Sequence, residues 1–206
     1  MTMKFYMAPG SCSTGIHIIM EKLDLLFEAH IVNIPKGQNR SLEYLALNPK
    51  GTIPTLVLDD GQALTEYQSI AYYLASAYPK AGLLPTEPVM ASKTLEIMAY
   101  VVNTLHGQGF ARIFATDNFI QGDIEPALIQ EAGYKIVRDG FEILNTELNN
   151  ISASPGDFTL ADASLFYVEF WAGKLNIELP ANLARHYDRM LSDPVVSRVL
   201  REEGYY

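Results

Sequence analysis

The sequence predicts an α/β unit followed by an all-helical one. Three observations carry that expectation. The first eighty residues alternate strand-like and helix-like stretches. After Pro88 the alternation gives way to long helical periodicity. Between the two lies Pro79-Lys80-Ala81-Gly82-Leu83-Leu84-Pro85, which reads as a linker. A chain of 206 residues is long enough for two small domains with real cores. The expected bounds are 1–79 for the α/β domain, 80–86 for the linker and 87–206 for the helical domain.

Each element has a local reason. Met3 to Met7 is a short apolar run and reads as a strand. Ser13 to Leu25 reads as a helix, because Ile16, Ile19, Met20 and Leu23 recur at helical spacing. Ala29 to Ile34 is a second strand. Ser41 to Leu47 is a short helix stopped by Asn48-Pro49. Thr55 to Leu58 and Gln62 to Thr65 are strands joined by the turn signal Asp59-Asp60-Gly61. Gln68 to Tyr78 is a helix ended by Pro79. The order βαβ, short helix, ββα implies one parallel strand pair and one antiparallel hairpin. Ala91 to Phe114 and Glu125 to Leu148 are long helical patterns. Ser154-Pro155-Gly156-Asp157 is a loop. Thr159-Leu160-Ala161-Asp162 reads as a capping box opening a mostly apolar, buried helix to Trp171. Pro180 to Leu191 and Pro194 to Arg201 are two more helices, each with proline near its start.

Composition narrows the function. Hydrophobic residues are 49% and charged ones 19%, the balance of a globular chain. The formal net charge is -9, which argues against nucleic-acid binding, since that needs a basic face. The single cysteine cannot form an internal disulfide and fits a reducing compartment. No apolar stretch reaches the ~18 residues of a membrane span, and no signal peptide is visible. A cytoplasmic protein is expected, so the acceptor-like triplet Asn150-Ile151-Ser152 has no glycan to receive.

Chemistry centres on that cysteine. Cys12 lies in Ala8-Pro9-Gly10-Ser11-Cys12-Ser13, between the first strand and the first helix. Unpaired N–H groups and the helix dipole there favour a thiolate. Pro54 opens a strand, where proline is tolerated. A cis Ile53-Pro54 bond would aim the Ile53 main chain outward, toward an extended peptide beside Cys12. Glu66 falls between a strand and a helix: the helix N-terminus suits a carboxylate, and Glu66 suits an ammonium. Together they fit an α-amino acid head group. His30 and His186 have no partners at metal-ligand spacing, so no metal site is indicated.

Pro9-Gly10-Ser11-Cys12-Ser13, Asn48-Pro49-Lys50-Gly51-Thr52-Ile53-Pro54, Asp59-Asp60-Gly61, Leu64-Thr65-Glu66 and Phe158-Thr159-Leu160-Ala161-Asp162-Ala163 occur in this order over essentially the whole chain. Taken together they resemble the cytosolic glutathione S-transferases, and Pro-Gly-x-Cys-Ser is similar to the bacterial beta class. The resemblance implies a thioredoxin-like N-terminal domain, an all-α C-terminal domain, a homodimer and a cis Ile53-Pro54 bond. It implies glutathione as co-substrate, with Cys12 near its sulfur and Lys36 in the segment that meets its glycyl carboxylate, although the loop there differs in length. It further implies Ile53 and Pro54 pairing with its cysteinyl unit, and Glu66 and Tyr67 at its γ-glutamyl end. His106 matches a histidine that approaches the ligand from the helical domain, where it could stabilise a thiolate or shuttle a proton. Phe110 and Phe114 are candidates to line an apolar second-substrate pocket, and Arg112 to add positive charge there. Two positions depart from the family pattern. Tyr67 stands where a small residue is usual, and Ala99 where an amide is common. One lost hydrogen bond to a charged group is worth about 1.5–3 kcal/mol.

Three functions follow. The first is transfer of the glutathione thiolate to a small apolar electrophile, with Cys12 as hydrogen-bond donor. The second is thiol–disulfide exchange through a mixed disulfide at Cys12. The third is a non-catalytic binding scaffold, which Tyr67 and Ala99 favour and the joint presence of Cys12, Ile53-Pro54 and Glu66 disfavours.

Overall fold

The computed structural model describes residues 2–150 and 158–206, with the backbone alone at 149 and 150. The loop expected over 154–157 lies outside the described residues, as does most of the Asn150-Ile151-Ser152 triplet. The N-terminal part is the expected βαβ followed by ββα. Strands β1 (Met3–Met7), β2 (Phe27–Ile31), β3 (Thr55–Val57) and β4 (Ala63–Thr65) form one sheet in the order β2-β1-β3-β4. β1 runs parallel to β2, with Phe5 opposite Ala29, and antiparallel to β3. Helices α1 (Ser13–Lys22) and α3 (Tyr67–Ala77) carry the buried apolar faces, with α2 (Leu42–Leu47) between β2 and β3.

Element bounds shift where a local turn overrides periodicity. α1 ends at Lys22 rather than Leu25 because Asp24 turns the chain with φ 52. β2 begins two residues before the expected Ala29, since its register with β1 starts at Met3 opposite Phe27. Helix α4 (Pro88–Tyr100) starts before the expected Ala91, because the Glu87 side chain accepts from the N–H groups of Val89 and Met90 at 3.0 and 2.7 Å.

The long helical pattern that contains His106 is one rod with three windings. α4 passes into a π-helical stretch, Val101–Phe110, and finishes as α5 (Ala111–Phe114). Wide turns of this kind gather at functional sites. They are tolerated here by close packing against α6 (Pro126–Asn150). A Cβ on Gly109 would come within 2.7 Å of Val137, and one on Gly133 within 2.8 Å of the Gly109 carbonyl. The glycines that weaken helix propensity are thus what lets the two helices touch.

Helix α7 (Leu160–Lys174) runs through the middle of the helical part, buried from Leu160 to Ala172. Its expected capping box is present: Asp162 Oδ2 accepts from the Thr159 N–H at 2.8 Å and hydroxyl at 2.7 Å. Asp162 Oδ1 also receives Arg189 at 2.5 Å and His186 Nε2 at 3.2 Å, both from α8 (Ala181–Ser192). His186 Nδ1 meets Glu169 at 2.8 Å. Helix α9 (Pro194–Glu202) closes the fold against α1 and α8.

This buried cluster makes stability depend on pH. Burial disfavours the His186 charge, but Glu169 and Asp162 more than offset it and raise the imidazole from 6.5 to about 9. Its contribution is therefore complete below the unfolded value of 6.5 and is lost as pH rises through about 9. Denaturant midpoints should fall across that window. His186→Ala should remove the alkaline slope and cost about 3–5 kcal/mol, because it strands the buried Glu169 carboxylate, while Asp162 keeps Thr159 and Arg189.

Candidate functional site

The Cys12 loop is held from both sides. Within the loop, Ser13 Oγ accepts from the Ala8 N–H at 3.1 Å and donates to the Ala8 carbonyl at 3.0 Å. From the helical part, Trp171 Nε1 donates to the Gly10 carbonyl at 2.7 Å, and the Tyr205 hydroxyl donates to the Pro9 carbonyl at 3.2 Å. Buried Glu203 accepts from the Gly10 N–H at 2.7 Å and the Thr14 hydroxyl at 2.6 Å, and contacts His17 Nδ1 at 2.9 Å. Gly10 is required here: its φ is +69, and a Cβ would sit 2.0 Å from the Tyr205 hydroxyl. His17 of α1 is part of this clamp.

Cys12 caps α1 and is 5% exposed. Its Sγ lies 3.8 Å from the Ile53 carbonyl, with the thiol as donor. The thiolate expected at a helix terminus is not what the surroundings favour. Burial pushes the thiol from 9.0 up to about 12, against the opposing pull of the Cys12 and Ser13 N–H groups. Cys12 is therefore a neutral thiol and a hydrogen-bond donor.

The Ile53-Pro54 bond is cis. The loop before it is fixed by buried Asn48, whose Nδ2 donates to the Thr52 carbonyl at 2.8 Å and to Thr55 Oγ1 at 3.1 Å, and by the Tyr44 hydroxyl, which donates to the Thr52 carbonyl at 2.6 Å. Glu66 is exposed, and its backbone is held at φ 71, a strain of order 1–3 kcal/mol of the kind that clusters at ligand sites. Its carboxylate meets Lys50 Nζ at 3.1 Å, and Lys50 also donates to the Thr65 hydroxyl at 2.6 Å. Lys36 is exposed in the turn after β2, with its N–H donating to Asn33 Oδ1 at 3.0 Å.

Two expectations need correction. Tyr67, expected at the γ-glutamyl end, has its side chain 4% exposed and turned inward over Gly15, edge-on to Tyr167 at 5.4 Å between ring centroids, so the side chain does not reach that surface. Phe110 is fully buried and belongs to the core against Phe141, so of the aromatic pair only Phe114, 54% exposed, presents a surface. Phe114 joins Trp171 at 5.4 Å, and Trp171 joins His106 at 5.0 Å, both edge-to-face. His106 Nδ1 lies 3.4 Å from the Tyr167 hydroxyl, and burial lowers the imidazole to about 4, so it is neutral. Arg112 is turned onto Gln108 and lies over Phe119. The amide missing at Ala99 appears one turn on, where Asn103 Oδ1 accepts from Gln68 Nε2 at 3.0 Å.

Tyr167, Glu203 and Tyr205 escaped the sequence reading. Only the apolar periodicity of α7 hinted at Tyr167, and no local pattern marks the other two. A cleft of about 1040 Å³ between the Pro79–Glu87 segment and the Asp162–His186 cluster lies away from Cys12 and contains none of these groups. Glu203→Ala should destabilise the protein by about 1–3 kcal/mol, because it takes the acceptor from the buried Thr14 hydroxyl and the part-buried Gly10 N–H, while His17 keeps Glu202 at 3.4 Å. Amide exchange at Gly10 should accelerate with it. Unchanged exchange would remove Glu203 from the clamp.

A family model described as the glutathione S-transferase N-terminal domain matches residues 10–77. The chain is 34% identical to glutathione S-transferase GstA of Escherichia coli O157:H7, over 98% of this chain and 99% of that one. It is 32% identical to glutathione S-transferase GST-4.5 of Xanthomonas campestris, with the same coverage. Among solved structures it resembles a bacterial beta class glutathione S-transferase of Sphingomonas chungbukensis, with a TM-score of 0.83 and 26% identity over 98% of this chain and 100% of that one. A sphingomonad glutathione S-transferase complexed with glutathione aligns with a TM-score of 0.82 and 26% identity, again over 98% and 100%. With the thioredoxin-like sheet, the helical second part and these full-length relatives in place, the chain belongs to the glutathione S-transferase family.

Proposed function

We propose that the protein is a glutathione transferase in which Cys12 acts as a thiol donor and not as the nucleophile. The observation that carries this reading is the buried, neutral Cys12 thiol at the start of α1, beside the Ile53 carbonyl. With a value of about 12, roughly one Cys12 sulfur in 10⁵ is ionised at neutral pH. Thiol–disulfide exchange needs the thiolate and is disfavoured accordingly. A thiol that donates can instead stabilise the thiolate of glutathione placed against it, which then attacks the electrophilic carbon of an apolar co-substrate.

The remaining parts support this reading. The Ile53 main chain pairs with the cysteinyl unit, Glu66 and the Tyr67 N–H take the γ-glutamyl head group, and Lys36 takes the glycyl carboxylate. Lys50 must release Glu66 for an incoming ammonium, an exposed exchange of small cost. His106 is neutral, and if the Tyr167 hydroxyl donates to its Nδ1, its Nε2 carries the proton. Phe114 and Trp171 offer the apolar surface for the co-substrate. We further propose a cytoplasmic homodimer, supported by the lone free cysteine and by exposed Tyr72, Tyr78 and Val89.

Calorimetric titration of the reduced protein with glutathione should give saturable binding. No binding would defeat the proposal. Cys12→Ala should lower the conjugation rate by roughly 10–100-fold, the worth of one hydrogen bond to a charged group, and leave it measurable. Complete loss would make Cys12 the nucleophile. Because His106 is neutral above about 4, the rate profile between about pH 5.5 and 8 should carry only the glutathione thiol and no imidazole inflection.

A further inference from the structure

Among the described residues, one group of potential metal ligands converges on a point. One ligand atom from each of His17, Glu21 and Glu202 lies within 4.8 Å of the other two. His17 and Glu21 are four apart on α1 and so share one face of that helix. The fold adds the third member, because α9 packs on α1 and ends at Glu202. A groove of about 400 Å³ leads to the group between α1, β2 and the end of α9.

His17 is the informative member. It is buried, and its Nδ1 lies 2.9 Å from Glu203 Oε1. A carboxylate accepts, so Nδ1 carries the hydrogen of that bond and Nε2 of the neutral ring presents a lone pair. The lone pair faces Glu202 Oε2 at 3.4 Å, which is long for a hydrogen bond. Two acceptors thus face each other, and an electropositive centre between them reconciles the pair. Their separation is close to the roughly 3.3 Å between two donor atoms on a tetrahedral zinc ion with bonds of about 2.0 Å. Arg198 Nη2, also from α9, holds Glu21 Oε2 at 2.5 Å beside the group. Its like charge opposes a cation there, and the Glu203 carboxylate behind the imidazole offsets it.

We propose that His17 Nε2, Glu21 and Glu202 bind one divalent ion of the zinc class, with water completing its coordination. An imidazole with two carboxylates suits zinc better than calcium or magnesium, which take oxygen ligands. Glu203 holds the place of the outer carboxylate that fixes a ligating histidine: it sets the tautomer, orients the ring and makes Nε2 more basic. The same carboxylate accepts from the Gly10 N–H and the Thr14 hydroxyl, so the ion bridges α1 to α9 and is linked to the loop that carries Cys12. None of its ligands is a glutathione-site residue, so the proposal stands whether or not the protein is a transferase.

Calorimetric titration of the metal-free full chain with zinc chloride, with thermal unfolding of the same samples, tests this. Wild type should take one ion per chain and unfold at a higher temperature when loaded. Glu21→Gln and Glu202→Gln should each weaken zinc binding roughly tenfold or more and shrink the thermal shift. Neither of these side chains is buried, so both variants keep the fold and carry the test if His17→Ala does not. His30→Ala is the control, because exposed His30 and Glu28, 3.4 Å apart, are the alternative place for zinc to settle; this variant should bind as wild type does. No saturable uptake at millimolar zinc overturns the proposal. Uptake that both glutamine variants leave unchanged, or that His30→Ala removes, marks an adventitious ion only and overturns it equally.

Discussion

The site depends on a grip exerted by the helical part on Pro9 and Gly10 of the N-terminal loop. Gly10 is held by its N–H through Glu203 and by its carbonyl through Trp171, and Pro9 is held by Tyr205. Those partners lie 161 to 196 positions further along the chain. The grip places Cys12 at the start of α1, presses it against Ile53 and closes it off from water. The clamping side chains lie on α7 and just past the end of α9, so the packing of the helical bundle sets the geometry of a sulfur that belongs to the sheet domain. The buried Asp162–His186–Glu169 cluster serves the same end at a distance, because it fixes α7 against α8.

Burial also decides the chemistry. A helix terminus stabilises a nearby negative charge by about 0.3–1 kcal/mol, and by up to ~2 in partly buried geometry. The rise of the Cys12 thiol from 9.0 to about 12 corresponds to about 4 kcal/mol against ionisation. Desolvation therefore wins, and the N–H groups of Cys12 and Ser13 recover only part of the loss. The same dehydration keeps His106 neutral and both buried tyrosines protonated. The groups around the Cys12 sulfur are thus uncharged, a setting in which a donor counts for more than it would in water.

Features written in short stretches of sequence were legible. The Thr159–Asp162 capping box, the Asp59-Asp60-Gly61 turn and the order of the strands all depend on neighbours a few residues apart. The cis Ile53-Pro54 bond was reached through family resemblance, since no local pattern specifies it. What failed depends on tertiary contact. The protonation of Cys12 follows from how deeply it is buried, which no spacing shows. Tyr67 stood out only as a large residue where a small one is usual, because the missing side chain of Gly15, fifty-two positions earlier, is visible as an opening only in the fold. Phe110 and Phe114, four apart on one helix, looked equivalent; the wide turns of the π-helical stretch and the approach of α6 bury one and expose the other.

The central claim is that Cys12 is a neutral thiol. It is the only cysteine, so carbon-13 labelling of cysteine yields a single Cβ resonance that can be followed with pH in the free protein. The account predicts a thiol shift that stays flat through neutrality and begins to move only above about pH 10. An inflection between about pH 5 and 8 would show a thiolate at working pH, and would make Cys12 a nucleophile in its own right.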